Sequence, residues 1–475
     1  MRKINVIGAG LAGCEAAYQI AKRGVVVHLY EQKPENFSPA HKSQNFCELV
    51  CSNSLKNTDV LTSSGMLKQE MQMFDSLILK CATVAKVPAG NALAVDREQF
   101  SALVTKEIKQ NKNIKIITKE VTKIDKDEIT IVATGPLTSD GLMDELKKFC
   151  YESLFFFDAA APIIDGDSID YSKTFNMNRY NKGEGEYVNC PLNKDEYEKF
   201  YFELINAETS VLHDFEKNMV FESCMPVEIM AKRGIDTLRF GPLKPAGLYD
   251  EKNNLKPYAV LQLRRENLKG TYYNLVGFQT NLLYAEQKRV FSFIPALKNA
   301  EFIKYGVMHK NTYINSPKCL DNYFRLKKHP NVFTNKELSA NRFADFDDKD
   351  AVSKKSGGEA ASATRKFGTD FALFIAGQLS GVEGYLESCA SGLICGINAY
   401  NTAHSLPLIN LSDNTLIGAM AHYISNPANT NFQPINSNYA ILSPLNKKYK
   451  NKEEKRKEYL SRSLLEIQET LKKSN

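Results

Sequence analysis

Residues 4–31, "INVIGAGLAGCEAAYQIAKRGVVVHLYE", constrain the fold more than any other stretch of this chain. They read as a strand, a tight glycine turn, a helix and a second strand. Gly8, Gly10 and Gly13 form G-x-G-x-x-G directly after Ile4–Ile7. The first glycine permits the sharp turn, the second lets a pyrophosphate approach the backbone, and the third lets helix and strand pack closely. Ala9 lies within the turn, and Leu11 and Ala12 open the helix, whose N-terminal N–H groups and macrodipole favour phosphate. Glu31 ends the second strand near the spacing of about 20 residues expected for a carboxylate that holds ribose hydroxyls. A lone glycine motif is a weak signal and can be an empty turn. Strand, glycines, helix, strand and acid in this order specify a dinucleotide site.

Two later segments decide which dinucleotide. "TIVATGPLTS" ends another strand in a small-residue turn at Thr134 and Gly135. Far downstream, "FALFIAGQLSGVEGYLESCASGLICGINA" gives a strand, a glycine turn and a long helix of small residues. Its turn holds Gly377, Gln378, Gly381, Glu383 and Gly384 as further candidate contacts. Distant parts of one chain returning to one nucleotide site is the organisation of a large flavoprotein, so FAD is expected rather than NAD alone. The expected class is α/β: a Rossmann-like FAD-binding domain with a parallel sheet, carrying an inserted α+β domain with antiparallel strands. Boundaries are read at 1–155 and 300–445 for the two parts of the FAD-binding domain and 156–299 for the insert. In the insert, "YAVLQLRRENLKGTYYNLVGFQT" alternates around Gly270 as antiparallel strands and a turn, and "NKDEYEKFYFELINAE" has helical periodicity. Residues 340–369 are polar, Gly/Ser/Ala-rich and aperiodic, the pattern of a long surface loop. Residues 446–475 form a Lys-rich helix with Leu460, Leu464, Ile467 and Leu471 on one face; a solvated charged face is the plainer reading, RNA contact the other.

With 475 residues, 43% hydrophobic and 24% charged, the chain has ample material for a large core. No stretch approaches the roughly 20 apolar residues of a membrane span, and the N-terminus enters a strand without a signal-peptide pattern, so a cytoplasmic protein without membrane contact is expected. The net charge of +6 is compatible with nucleic acid without requiring it. Ten cysteines occur with no C-x-x-C pair and no histidine at zinc spacing, so neither a disulfide framework nor a metal site is expected. Two cysteines stand apart. Cys51 in "ELVCSNSLK" ends a short apolar run and is followed by small polar residues. Cys224 in "FESCMPVEIMAKRG" precedes a Pro-opened turn and a cluster containing Lys232 and Arg233. Buried structural thiols are the commoner case, yet neither segment has the setting of one.

These segments, with "VPAGNALAVDR", "DAAAPIID", "YVNCPL", "RFGPLKPAGL" and "YGVMHKNTYINSP", closely resemble the folate- and FAD-dependent RNA uracil-5-methyltransferases over most of residues 1–440. The resemblance implies methyl transfer to C5 of an RNA uridine. The carbon would come from 5,10-methylenetetrahydrofolate and the reducing equivalents from FAD, with NAD(P)H as the expected reductant. It implies that Cys51 and Cys224 are the two essential thiols. One adds at uracil C6 to make C5 nucleophilic, and the other removes the C5 proton so that the first can leave. Cys224 is expected as nucleophile and Cys51 as base, with the reverse assignment open. A thiol with an ordinary pKa near 8.5 needs nearby positive charge to act, and Lys232 and Arg233 are candidates. Tyr385 is expected against the isoalloxazine or folate ring, with core packing as the alternative. Asn53, Lys232, Arg233, His309 and Lys310 are the candidate substrate contacts. Two departures from the family pattern, Asn281 in "FQTNL" and Lys310 in "YGVMHKNT", bear on folate binding. The expected RNA is the tRNA T-loop, with large-subunit ribosomal RNA as the alternative, and the oligomeric state is open. Less favoured are wobble-uridine modification, a small-molecule flavin oxidoreductase and an RNA-binding scaffold.

Overall fold

A computed structural model describes residues 3–150, 153–181, 184–210, 225–251, 253–327 and 371–474. Cys224 and the expected loop at 340–369 lie outside them. The fold starts from a parallel five-stranded sheet. Its strands run in the order Ala372–Ile375, Ile129–Val132, Ile4–Ile7, Val27–Glu31 and Ile114–Thr118. The first three of these are buried at every residue. Their sequences are apolar except for the buried Asn5 and Thr130, as expected of strands covered on both faces.

One of those faces is closed by two helices, Leu11–Ala21 and Tyr385–Ala403, which touch backbone to backbone. A methyl group on Gly392 would stand 2.1 Å from the Ala12 carbonyl oxygen, and one on Gly396 would stand 2.6 Å from that of Ala16. The small-residue helix seen in the sequence therefore packs directly on the helix of the glycine motif, joining the far end of the chain to its beginning.

The chain leaves this domain along Ser153–Ala159 and returns along Met308–Ile314, paired antiparallel from Ser153↔Ile314 to Ala159↔Met308. Between them lies a six-stranded antiparallel sheet in the order Phe175–Asn176, Val188–Leu192, Ala259–Arg265, Tyr272–Leu275, Ile163–Asp165 and Phe302–Lys304. Its core is separate, with Tyr197, Phe200, Phe278 and Phe291 fully buried. The hairpin read around Gly270 is present, with Leu263 opposite Leu275 and Gly270 at φ +67°. The helix Lys194–Ile205 starts at Asn193, whose side chain and that of Glu196 cap each other's backbone. The sheet's edge strand runs to Lys304, past the boundary read at 299, because Phe302–Lys304 pairs with Ile163–Asp165 of the insert.

The C-terminal helix Lys452–Ser474 docks on the first domain. Tyr459, Ser463 and Ile467, four residues apart, are its buried line, while Lys452, Lys455 and Lys457 stay exposed. Under it lies Glu70, fully buried. Its carboxylate accepts the Leu416 and Ile417 N–H groups at 2.7 and 2.9 Å and the Ser463 hydroxyl at 2.6 Å. Burial outweighs these bonds and pushes the Glu70 carboxyl up to about 7. Raised in the folded state, this group favours folding below its unfolded pKa of about 4.5 and loses that contribution as pH rises through 7, by up to about 3 kcal/mol. Glu70→Gln cannot titrate. The fall in unfolding temperature between pH 5 and pH 7.5 should therefore be smaller in the variant than in the wild type. An equal fall in both would contradict the assignment.

Candidate active site

The glycine turn is built by crowding. Gly8 has φ +98°, and a side chain there would meet the Ala133 carbonyl at 2.7 Å. One on Gly13 would sit 1.8 Å from the Gly8 carbonyl. Gly10 is different: its φ is −77°, and a methyl group there would meet no protein atom within 4 Å. The space beside Gly10 is the hollow a pyrophosphate needs, at the N-terminus of the helix Leu11–Ala21. The Glu31 carboxylate closes one side, accepting the Ala9 N–H at 2.7 Å and the Lys33 N–H at 3.0 Å.

The pocket that opens over this turn is lined by Gly8, Ala9, Gly10, Leu11, Ala12 and Glu31, by Thr134 and Gly135, and by Gly377 and Gln378. The three segments singled out in the sequence thus form one wall. Gly381, Glu383 and Gly384 are outside that lining. A side chain on Gly381 would run into the Phe432 ring, and one on Gly384 into the Glu387 carboxylate, so these residues shape the turn behind the pocket. Glu383 is buried, accepts a hydrogen bond from Gln378, and is driven toward its neutral form by burial and by nearby Asp158.

The same pocket is lined by Cys51, Asp158, Asn311 and Tyr385. Tyr385 starts the helix Tyr385–Ala403, and its phenolic oxygen accepts the N–H groups of Cys51 at 2.9 Å and Ser52 at 3.4 Å. With both lone pairs engaged, its own hydrogen is left for the Cys51 sulfur, 3.3 Å away. Burial, with Asp158 second, pushes the Cys51 thiol up to about 12; Tyr385 and Arg97 pull the other way. The Tyr385 hydroxyl beside the sulfur would stabilise its anion when the thiol ionises.

What holds Cys51 was not legible as such. Arg97 donates to the Leu49 carbonyl at 2.6 Å and the Val50 carbonyl at 3.1 Å, and its Nε meets the Glu266 carboxylate of the inserted domain at 2.5 Å. Lys304 donates to the Val50 carbonyl at 3.0 Å. Arg264 donates to Asn53 at 2.8 Å and to the Ser52 hydroxyl at 3.0 Å. Asn53 in turn gives both amide hydrogens to the Val95 and Arg265 carbonyls. It is fully buried, so it ties the Cys51 segment to the insert rather than facing a substrate. Residues 49–53 are clasped from both domains. Arg97 stood in the quoted segment "VPAGNALAVDR", but its reach to Glu266 depends on tertiary packing.

The remaining candidates sit elsewhere. Lys232 and Arg233 are exposed and do not line the pocket; the cations beside Cys51 are Arg97 and Lys304. Lys310 places its ammonium 4.0 Å from the Phe155 ring centroid. His309 lies opposite Asp158 in the connecting strand pair, where its backbone alone is described. Asn281 is buried, its N–H bound to Glu228 and its amide to the Ser210 carbonyl. Among the described residues, no group of three His, Cys, Asp or Glu side chains is arranged to hold a metal, and no helix is long and apolar enough to cross a membrane.

Comparison with known proteins places this geometry. The family model described as "Glucose inhibited division protein A" matches residues 3–335 and 362–407. The methylenetetrahydrofolate--tRNA-(uracil-5-)-methyltransferase TrmFO of Acetivibrio thermocellus is 50% identical over 471 residues, covering 99% of each chain. The protein of the same name from Caldicellulosiruptor bescii is 50% identical over 442 residues, covering 93% of this chain and 92% of its own. Among solved structures, Aquifex aeolicus GidA superposes with a TM-score of 0.65 at 15% identity, over 99% of this chain and 74% of that one, a likeness of fold. Matching half its residues along its whole length to such relatives, this chain belongs to the TrmFO family of methylenetetrahydrofolate--tRNA-(uracil-5-)-methyltransferases, and with them to the Glucose inhibited division protein A family.

Proposed function

We propose that this enzyme methylates C5 of a uridine in the T-loop of tRNA, taking the carbon from 5,10-methylenetetrahydrofolate, with FAD as its resident cofactor and NAD(P)H as the external reductant. The observation that carries this reading is a single pocket lined both by the glycine turn and by Cys51. The open space at Gly10, the Glu31 carboxylate at the strand end and the second turn at Gly377 line one pocket and suit a dinucleotide such as FAD. Bound there and reduced, the flavin would supply the electrons that turn the transferred carbon into a methyl group.

The chain's own residues do the rest. In this reading Cys224 adds at uracil C6 and raises electron density at C5. Once the carbon is attached, Cys51, ionised after giving its own proton to solvent, takes the C5 proton; the C5–H electrons form the C5–C6 double bond and the Cys224 sulfur leaves with the C6–S electrons. Burial pushes the Cys51 thiol up to about 12, so once ionised it is a strong base, and the Tyr385 hydroxyl beside the sulfur would lower the cost of that ionisation. Tyr385 holds the Cys51 backbone and steadies the sulfur as its charge changes. Arg97 and Lys304 fix the segment's carbonyls. The target base must leave its stack to reach this pocket, at a cost of a few kcal/mol.

The relatives compared above carry tRNA in their names, which favours tRNA over ribosomal RNA. The test is incubation with total RNA from a strain lacking the protein, plus methylenetetrahydrofolate and NAD(P)H, followed by mapping of 5-methyluridine by mass spectrometry. New 5-methyluridine in the tRNA T-loop is expected. Its appearance only in ribosomal RNA, or nowhere, would refute the assignment. The cofactor site is tested separately by Gly10→Val. The backbone at Gly10 accepts a side chain, but the side chain would fill the cradle. Flavin content should fall more than about tenfold while the flavin-free protein melts as the flavin-free wild type does. Full flavin content in the variant would move the pyrophosphate elsewhere.

A further inference from the structure

Phe240 is the most exposed large apolar side chain among the described residues, at 81%. Its surroundings show that this exposure is not slack. It ends the one-turn helix Thr237–Phe240, and the chain on either side is fixed. Leu238 and Leu243 are fully buried, and the Leu243 N–H donates to the Leu238 carbonyl at 2.8 Å. Arg239 stacks 3.6 Å over the Tyr258 ring centroid, donates to the Tyr258 carbonyl at 3.1 Å and pairs with Asp236 at 2.7 Å. Pro242 sits against Gly277 so closely that a side chain on that glycine would meet it at 2.7 Å. A rigid turn therefore aims the phenyl ring at water, where it forgoes the gain of burial.

Charge identifies what would cover it. Lys232 and Lys244 on the same segment are exposed, and the segment 232–244 has a single acid, Asp236, which pairs with Arg239. An apolar protein partner would match the ring and offer nothing to the Lys232 and Lys244 ammonium groups. Single-stranded RNA matches both: a base stacks on a flat aromatic face, and its flanking phosphates meet lysine. We propose that Phe240 is a stacking platform for an unpaired base of the RNA substrate, with Lys232 and Lys244 engaging the adjoining phosphates. This rests on the RNA-methyltransferase reading and deepens it. The stacked base is distinct from the target uridine, which goes to the Cys51 pocket.

The chain contains no tryptophan, so Phe240→Trp creates a sole indole at the site. Titrated with unmodified tRNA, the flavin-loaded Phe240→Trp protein should bind with wild-type affinity and show saturable quenching of the indole. Phe240→Ala should bind about tenfold more weakly, the scale of one lost base–aromatic stack, with its flavin spectrum and melting temperature unchanged. Its KM for tRNA should rise while kcat holds. Indole emission unmoved at saturating tRNA, or Phe240→Ala binding as tightly as the wild type, would overturn the platform alone. A wild-type protein that binds no tRNA would overturn the substrate reading and the platform with it.

Discussion

An enzyme carrying Cys51→Ala is expected to fold, bind its flavin and transfer no detectable methyl group. The expectation comes from what the side chain touches. Among the interactions of residues 49–53, the Cys51 sulfur has the Tyr385 hydroxyl as its hydrogen-bonding partner, while the backbone is held by Tyr385, Arg97 and Lys304 through N–H and carbonyl groups that alanine retains. Loss of a positioned proton acceptor costs about 10² to 10⁴ in rate. Here the fall should be at the upper end, since no other described cysteine lines the pocket except Cys47, which is fully committed to burial behind the glycine turn. Tyr385→Phe is the graded counterpart. It keeps the ring but leaves the Cys51 and Ser52 N–H groups without their acceptor, at about 1–3 kcal/mol. Stopped-flow or quenched assays of 5-methyluridine formation, with the flavin spectrum as a check on the site, measure both. Near-normal turnover by Cys51→Ala would remove Cys51 from the chemistry.

Arg97→Ala should be the most damaging single change outside the reacting groups. It strands the buried Glu266 carboxylate, releases the Leu49 carbonyl and leaves the Val50 carbonyl to Lys304 alone. Breaking one side of a buried pair costs about 3–5 kcal/mol. Arg97→Lys keeps the charge but not the fork that serves Glu266 and two carbonyls at once, and should recover little. A double change, Arg97→Met with Glu266→Gln, separates stability from function. It removes the stranded charge, so the unfolding temperature should return most of the way to wild type. Methyl transfer should stay low, because the Cys51 segment has still lost its grip. Activity recovering in step with stability would reduce Arg97 to a structural role.

The division between what sequence revealed and what it withheld follows from how far each feature reaches. The glycine turn, Glu31 and the small-residue helix were legible because they are local: neighbours within a few residues fix their geometry, and Gly8, Gly10 and Gly13 have a steric reason at their own positions. Cys51 was visible as an anomaly, a thiol among small polar residues. Asn53, two residues on, looked equally available and is buried under Arg264 and Arg265, more than 200 residues away in sequence. Lys232 and Arg233 appeared suited to electrostatic support of a thiol, yet Arg97 and Lys304 stand beside Cys51. The Asn53 contacts cross between the two domains, and Arg97 reaches the Cys51 segment from 47 residues further along the same domain, so in neither case does a local pattern encode the partner.

The most direct measurement is chemical labelling of Cys51 with and without its cofactor. Flavin-free protein is treated with iodoacetamide at alkaline pH, alone and with saturating FAD, and the peptide bearing Cys51 is quantified by mass spectrometry. If the isoalloxazine occupies the space the sulfur lines, FAD should slow labelling of Cys51 at least about tenfold. Equal labelling in the two samples, with FAD shown to be bound, would mean that thiol and cofactor do not share a pocket, and the proposed chemistry would lose its foundation.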